Sequence, residues 1–332
     1  MKEKLQSLSK KTLKLGLLGA AIVLVAVISI LIELGAINAY LSGIFIRIGV
    51  NIILAVSLNI AVGYLGQLPL GHAGFMAVGA YASAILLRAL PEGVRGPLFP
   101  VSIIFGGLIA LIFGLIIGLP ALRLKGDYLA IITLGFGEII RVVITNIDSV
   151  LGFSFTYGAA SLKNIPKLTT FFNTFLVVGI VCLLIHTLMK SKHGRAIIAV
   201  RDNEIAAESC GLNIMFYKCF GFAVSAFFAG VAGALYASFV GLLSPNTFGF
   251  MKSIEILVMV VLGGMGSMVG SVISATALTA IPEILSEFAD YRMLIYSLIL
   301  ILVMIFGNSE KFTPLRKKFK QKLKNLSGGK AK

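Results

Sequence analysis

The chain has 332 residues, 58% of them hydrophobic and 13% charged, with a mean hydropathy of +0.99. Soluble domains carry about 25% charged residues, so this composition excludes an ordinary soluble fold and points to a protein embedded in lipid. The formal net charge of +15 raises nucleic acid as a partner, but the way that charge is distributed along the chain argues against it.

No alternating pattern of about ten residues, the mark of an outer-membrane barrel, is present. Apolar runs of about 20 residues recur instead, the length a helix needs to cross the hydrocarbon core. Lipid offers the backbone no hydrogen-bonding partners, so such runs are expected to be helical. The predicted spans are 14–34, 40–62, 74–90, 98–120, 128–145, 170–190, 219–242, 252–264, 266–285 and 292–307. The expected fold is an all-α integral membrane protein of about ten transmembrane helices, two of its segments broken or re-entrant, with both termini cytoplasmic. Its organisation reads as a tail over 1–13, a transmembrane domain over 14–307 with a cytoplasmic loop at 190–218, and a basic tail over 308–332.

In chain order, the run 14–34 is longer than a secretory h-region and no small-x-small cleavage site follows it, so it is read as a span. Asn51 and Asn59 lie about two turns apart on the second span, where each is expected to bond to a neighbouring helix. The stretch "LNIAVGYLGQLPLGHAGFMAVGAYASAIL", Leu58 to Leu86, then places glycines, Pro69, Gln67 and His72 inside otherwise apolar sequence. Irregular backbone at membrane depth survives where protein buries it or where it lines a wet cavity. Glu138, Arg141 and Thr145 share one face of the fifth span. An internal Glu138–Arg141 pair that packs helices is one reading, and a role lining the route is the other.

Residues 146–169 form an outer loop that is either a docking surface or a plain connector. In the loop 190–218, Asp202 is a good N-cap and Gly211 a good C′ residue, bracketing a helix of about two turns. Arg201 is spaced to pair with Glu204 across a helical turn. The small apolar face of Ile205, Ala206, Ala207 and Cys210 suits a partner's groove. An amphipathic helix on the membrane surface is the alternative, disfavoured because Glu204 and Glu208 are repelled by anionic lipid. Glu255 near the outer end of its span reads as interfacial. The span 252–264 is short enough to be re-entrant, and a second break, "VVLGGMGSMVGSVISA" at 260–275, follows it. Transporters place such breaks in corresponding positions of two halves, around the substrate. Gly263, Gly264 and Gly266, with Asn59, Gln67, His72, Glu138 and Arg141, are therefore candidates to line a translocation path. Close packing by small residues is the competing account, and it also covers Gly114 and Gly118.

Of the 29 Lys and Arg residues, 21 fall in the segments 1–14, 122–127, 190–218 and 308–332, all on one side of the predicted topology. That is the positive-inside bias, and it assigns the basic tail to anionic lipid or to water rather than to nucleic acid. Cys182, Cys210 and Cys219 lack metal or redox spacing and the three histidines are scattered, so neither a metal site nor a cofactor is expected. No G-x-x-x-x-G-K-[ST] phosphate loop occurs, and "LSGGK" at 326–330 lies in a low-complexity tail. "GGMGSMVG" at 263–270 lies in apolar helix rather than after a strand, so it is not a dinucleotide site. No chain of carboxylates crosses the midplane, which argues against a proton-driven mechanism.

Four blocks, "VGYLGQLPLGHAGFMAVGAY", "LRLKGDYLAIITLGFGEIIR", "GRAIIAVRDNEIAAESCGL" and "EILVMVVLGGMGSMVG", together resemble the LivM-type permease subunits of branched-chain amino acid ABC importers. The resemblance runs in order from about residue 40 to 305. It implies a second, LivH-like permease, two ABC ATPase subunits and an extracytoplasmic binding protein as partners, in a bacterial or archaeal cell membrane. It also implies that "EIAAESCG" couples to the ATPase, through Glu204, Ala206, Ala207 and Gly211, with Arg201 beside them. The outer loop departs from the family pattern: it reads "TYGAASLKNIP", keeping Ile165–Pro166 but altering the glycines and adding Lys163. The function this resemblance implies is translocation of leucine, isoleucine and valine by alternating access, with no enzymatic chemistry in this chain. Urea, short amides or other amino acids are the alternative cargo, and a secondary transporter without an ATPase is the alternative class.

Overall fold

The computed structural model describes residues 38–124, 126–151, 156–158 and 161–284, with 25, 27–32 and 34–35 before them. Among the described residues every extended regular element is helical, and strand pairing is confined to one isolated bridge between Leu162 and Leu243. We number the helices α1 (Ala39–Asn59), α2 (His72–Ala89), α3 (Glu92–Ala121), α4 (Asp127–Leu151), α5 (Phe171–Lys190), α6 (Lys192–Asp202), α7 (Glu204–Ser209), α8 (Ile214–Val240), α9 (Phe250–Gly263) and α10 (Met268–Ile284). A π turn, Ile60–Tyr64, continues α1, and a 3₁₀ turn, Pro245–Phe248, precedes α9. The chain divides between Thr279 and Ala280 into two compact units, and only the last residues of α10 are described in the second.

Among the described residues six stretches are long and apolar enough to cross a membrane: Ala39–Tyr64, Glu92–Ala121, Asp127–Asp148, Phe171–Lys190, Ile214–Val240 and Pro245–Gly263. Each coincides with an expected span. The stretch expected over 252–264 is longer than its hydropathy indicated, because the 3₁₀ turn before α9 extends it to 19 residues. The expected span 292–307, both basic tails and most of 14–34 lie outside the described residues.

Local signals set the helix ends. Thr170, Ser191, Asn203 and Asn213 each accept a hydrogen bond from the backbone N–H three residues on, capping α5, α6, α7 and α8. Gly241 at φ +77° terminates α8, a left-handed position glycine fills without strain.

Helix α8 is the hub. It is buried along most of its length against α1, α2 and α3, with Phe222, Ala226 and Leu235 shut off from solvent. In lipid, helices gain nothing from apolar burial as such, so association depends on backbones approaching closely enough for dispersion contacts. A Cβ on Gly79 would lie 2.3 Å from the Gly230 Cα, and one on Gly233 would lie 2.0 Å from the Met76 carbonyl. A Cβ on Gly114 would lie 2.6 Å from that of Ala226, and one on Gly118 would lie 3.0 Å from Phe222 Cδ1, as the packing account of these glycines requires. Helices α4 and α5, by contrast, present apolar faces outward, including Ile131, Ile139, Phe172 and Leu183.

The described part of the loop before α5 is pinned rather than free. Leu162 and Leu243 exchange two backbone hydrogen bonds of 2.9 Å, and Ile165 N–H donates to Gly241 O at 3.3 Å. Thr169 Oγ1 donates to Leu235 O at 2.9 Å, while Thr156 Oγ1 reaches back to Ile144 O at 2.8 Å. Residues 161–169 are thus fastened to the Gly241 end of α8, and Thr156 to α4.

Candidate functional site

The first break begins where α1 widens into the π turn. Leu65 N–H donates to Ile60 O at 3.0 Å, and Gln67 N–H reaches Ala61 O at 2.9 Å. Gly66 at φ +74° then turns the chain out of the helix. The peptide re-enters at α2, whose first turn lacks a side-chain cap of its own. Other spans supply the missing acceptors: Leu70 N–H donates to Thr133 Oγ1 at 3.0 Å and Ala73 N–H to Ser253 Oγ at 3.1 Å. A Cβ on Gly71 would lie 2.1 Å from the Thr133 carbonyl, so this approach needs glycine.

The second break separates α9 from α10 with Gly264 and Gly266 at φ +87° and +81°. A Cβ on Gly270 would lie 1.7 Å from Gly263 O, so the two helices fold back closely on one another.

The breaks meet. Gly266 N–H donates to Asn59 Oδ1 at 2.8 Å, and a Cβ on Gly63 would lie 2.1 Å from the Gly266 nitrogen. Contact this close leaves no passage for a solute between them. Asn59 is fully buried and its Nδ2 has no partner among the described residues. Asn51 likewise bonds across helices, donating to Thr279 Oγ1 at 2.9 Å. Gln67 is buried beside this junction in sequence. His72 is also buried, its Nε2 2.9 Å from Ser57 Oγ, a contact between α1 and α2.

The structure does not bring all the candidate path residues together. Glu138 and Arg141 form the expected pair at 2.7 Å. They lie at the opposite end of α9, where Glu138 Oε1 accepts from Phe250 N–H at 3.2 Å and Arg141 donates to Asn246 at 3.1 Å. A carboxylate there compensates the positive end of the helix dipole. The 14 residues of α9 separate this pair from the Gly263–Gly266 junction by about 20 Å, whereas Gly71 and Gly74, which flank His72, pack on Gly137 beside Glu138. Sequence reasoning missed Lys252, which pairs with Glu255 at 3.0 Å and donates to Asn51 at 3.4 Å. With Asn51 of α1 the two form a polar cluster.

Around α7 two expectations need correction. Asn203, not Asp202, is the N-cap: its extended backbone, φ −159°, ends α6 at Asp202, and its side chain accepts from Ala206 N–H at 3.0 Å. Arg201 and Glu204 therefore sit on different helices and do not pair. Arg201 holds Asp202 at 2.7 Å and donates to Gly63 O at 2.8 Å, whereas Glu204 pairs with Lys218 at 2.5 Å. Lys218 is only 4% exposed. Gly211 is the expected C′ residue at φ +80°, with Leu212 N–H closing on Ala207 O at 3.1 Å. Ala207 is buried, while Ala206 and Ile205 face outward, Ile205 being 79% exposed.

The architecture is that of a multi-pass membrane protein organised around two broken helices, with a short polar-capped helix projecting beside them. Residues 40–306 match the family model of the branched-chain amino acid transport system permease component. The chain belongs to that family of cell-membrane permeases. It is 36% identical to the high-affinity branched-chain amino acid transport system permease protein LivM of Escherichia coli strain K12, over 77% of this chain and 66% of the relative. The chain thus spans slightly under two thirds of that relative's length. It is 27% identical to the nucleoside ABC transporter permease protein NupC of Lactococcus lactis, over 59% of this chain and 66% of that one. The permease protein LivH of Salmonella typhimurium is 25% identical over 76% of this chain and 88% of its own.

Proposed function

We propose that this chain is the translocating subunit of an ABC importer that carries leucine, isoleucine and valine by alternating access. The observation that carries this reading is α7, a short exposed helix clamped by Glu204 to the hub helix α8 and separated by two residues from Arg201, which bonds to Gly63 O where the two breaks meet. Such a helix can transmit a push from a docked subunit to the membrane route. The likeness to the branched-chain amino acid permease proteins LivM and LivH supports the substrate class and a permease pair. The proposed assembly has two ATPases, a second homologous permease and an extracytoplasmic binding protein, with about ten spans and both termini cytoplasmic. The chain itself has no phosphate loop, so energy arrives from those ATPases and no covalent chemistry occurs here. Closure of the ATPases shifts the permease between two states that differ in which side the route faces. Gln67 and Asn59 are the buried amides available to a polar solute when the breaks separate.

Uptake into vesicles carrying the reconstituted assembly tests the reading. Labelled leucine, isoleucine or valine is expected to accumulate only with ATP and all partner subunits. Accumulation driven by an ion gradient alone makes the chain a secondary transporter. Preferred uptake of urea, an amide or a nucleoside moves the cargo, not the mechanism.

Coupling yields a separate expectation at Gly211. No atom lies within 4 Å of a Cβ there, so Gly211→Val meets no clash and suffers only the left-handed backbone penalty, about 1–2 kcal/mol. Membrane insertion is expected to stay normal while co-purification of the ATPase weakens. Wild-type docking and uptake in this variant remove α7 from the coupling role.

A further inference from the structure

We propose that Arg201 is a latch: its guanidinium holds the two broken segments together and so keeps the route closed at their junction, releasing it when α7 moves. The inference rests on the transporter reading above and adds to it the residue that connects α7 to the route.

The π turn creates the need for such a group. Gln67 N–H, the donor that a regular helix would offer Gly63 O, is spent on Ala61 O instead. The carbonyls at a helix C-terminus are left without backbone partners, and the helix dipole makes that end attractive to a cation. Arg201 Nη1 supplies the bond to Gly63 O at 2.8 Å from 138 positions away in the chain. Bonds from a charged donor are roughly twice as strong as neutral ones.

Arg201 bonds to the first break and lies close to the second. The Arg201 stem packs on Gly66, where a Cβ would lie 2.7 Å from its Cγ, and its Nη1 would be 3.8 Å from a Cβ on Gly266. Asp202 accepts from Nε and Nη2 at 2.9 and 2.7 Å, which fixes the guanidinium's direction. Between Arg201 and Glu204 lie only Asp202 and the capping Asn203. One grips the junction of the breaks and the other grips Lys218 of α8. Displacement of α7 relative to α8 therefore pulls on the guanidinium directly.

Hydrogen exchange on the purified chain, read peptide by peptide, tests the contact without any substrate. In Arg201→Ala, amides of 60–68 and 262–270 are expected to exchange roughly tenfold faster, the effect of losing one charged hydrogen bond on a two-state closure. Residues 214–240 serve as the folding control and are expected to be unchanged. Arg201→Lys, which keeps the charge but not the fork, is expected to recover part of the protection. In vesicles the alanine variant is expected to keep its ATPase, leak preloaded leucine without ATP, and lose most driven uptake. Unchanged exchange at either break overturns the latch. Loss of ATPase binding with unchanged exchange also overturns it and makes Arg201 a docking residue. ATP-driven uptake by the wild-type assembly is scored separately: its absence overturns the transporter reading, while exchange at the two breaks still decides whether Arg201 holds them shut.

Discussion

Glu204→Ala is expected to destabilise the folded chain by about 3 kcal/mol, because it leaves the ammonium of Lys218 buried without its carboxylate. The pair is asymmetric, with Lys218 side chain 5% exposed and Glu204 30%. Water can reach the glutamate but not the lysine, so the loss falls at the lower end of what breaking a buried pair costs. Unfolding in detergent gives the stability, and ATPase co-purification gives the docking. The double variant Glu204→Ala/Lys218→Met is expected to regain most of the stability, since replacing both charges by apolar atoms removes the desolvation penalty together with the attraction. Docking is expected to stay impaired in the double variant, because α7 is no longer tied to α8. Equal instability of the single and double variants would show that the pair does not act as a unit.

Gly233→Val is expected to do comparable or greater damage by a different route. Its Cβ would lie 2.0 Å from the Met76 carbonyl oxygen and 2.9 Å from Ala80 N, and both obstacles are backbone. A side chain in the way can rotate; a helix must move. Overpacking of this sort costs about 1–3 kcal/mol where side chains can yield, so the upper end or failure to accumulate is the expected outcome here. The displaced α2 carries Gly79, which packs on Gly230, so the disturbance spreads along the crossing. Gly135→Val is the control: no atom lies within 4 Å of a Cβ at that position, and near-normal stability is expected. If both variants are equally stable, close backbone approach does not hold α2 to α8.

The spans were legible because twenty apolar residues have few alternatives in lipid. So were groups whose need for a partner is local. The Glu138–Arg141 pair follows from helical spacing, and Gly211 follows from the demands of a helix end. The need of Asn51 and Asn59 for partners was plain as well, though the partners were not: Thr279 and Gly266 lie more than 200 positions away. Asp202 and Asn203 are both competent caps, and only the backbone shows that α6 runs through the first and stops at the second. That single position decides whether Arg201 and Glu204 can pair. Lys218 was hidden for another reason. A charge at the edge of an apolar run reads as loop, whereas α8 begins at Ile214 and draws the lysine into the bundle, where Glu204 neutralises it. Hydropathy also carries no depth along a helix. The candidate path residues therefore read as one group, although the length of α9 divides the Glu138–Arg141 pair from the Gly263–Gly266 junction.

The fastening of residues 161–169 gives α8 a second office. At its Gly241 end the helix is stitched to residues 161–169, and near its start Lys218 clasps Glu204 of α7. The 27 residues between its ends span about 40 Å, at a rise that hydrogen bonding makes nearly inextensible. A rod that cannot stretch shares its tilt between both ends, so a preference expressed at one is registered at the other. Thermodynamic reciprocity then sets the terms. If a molecule seated on that loop changes the affinity of α7 for its own partner, that partner must change the affinity of the loop by the same factor, with no messenger other than the inclination of one helix.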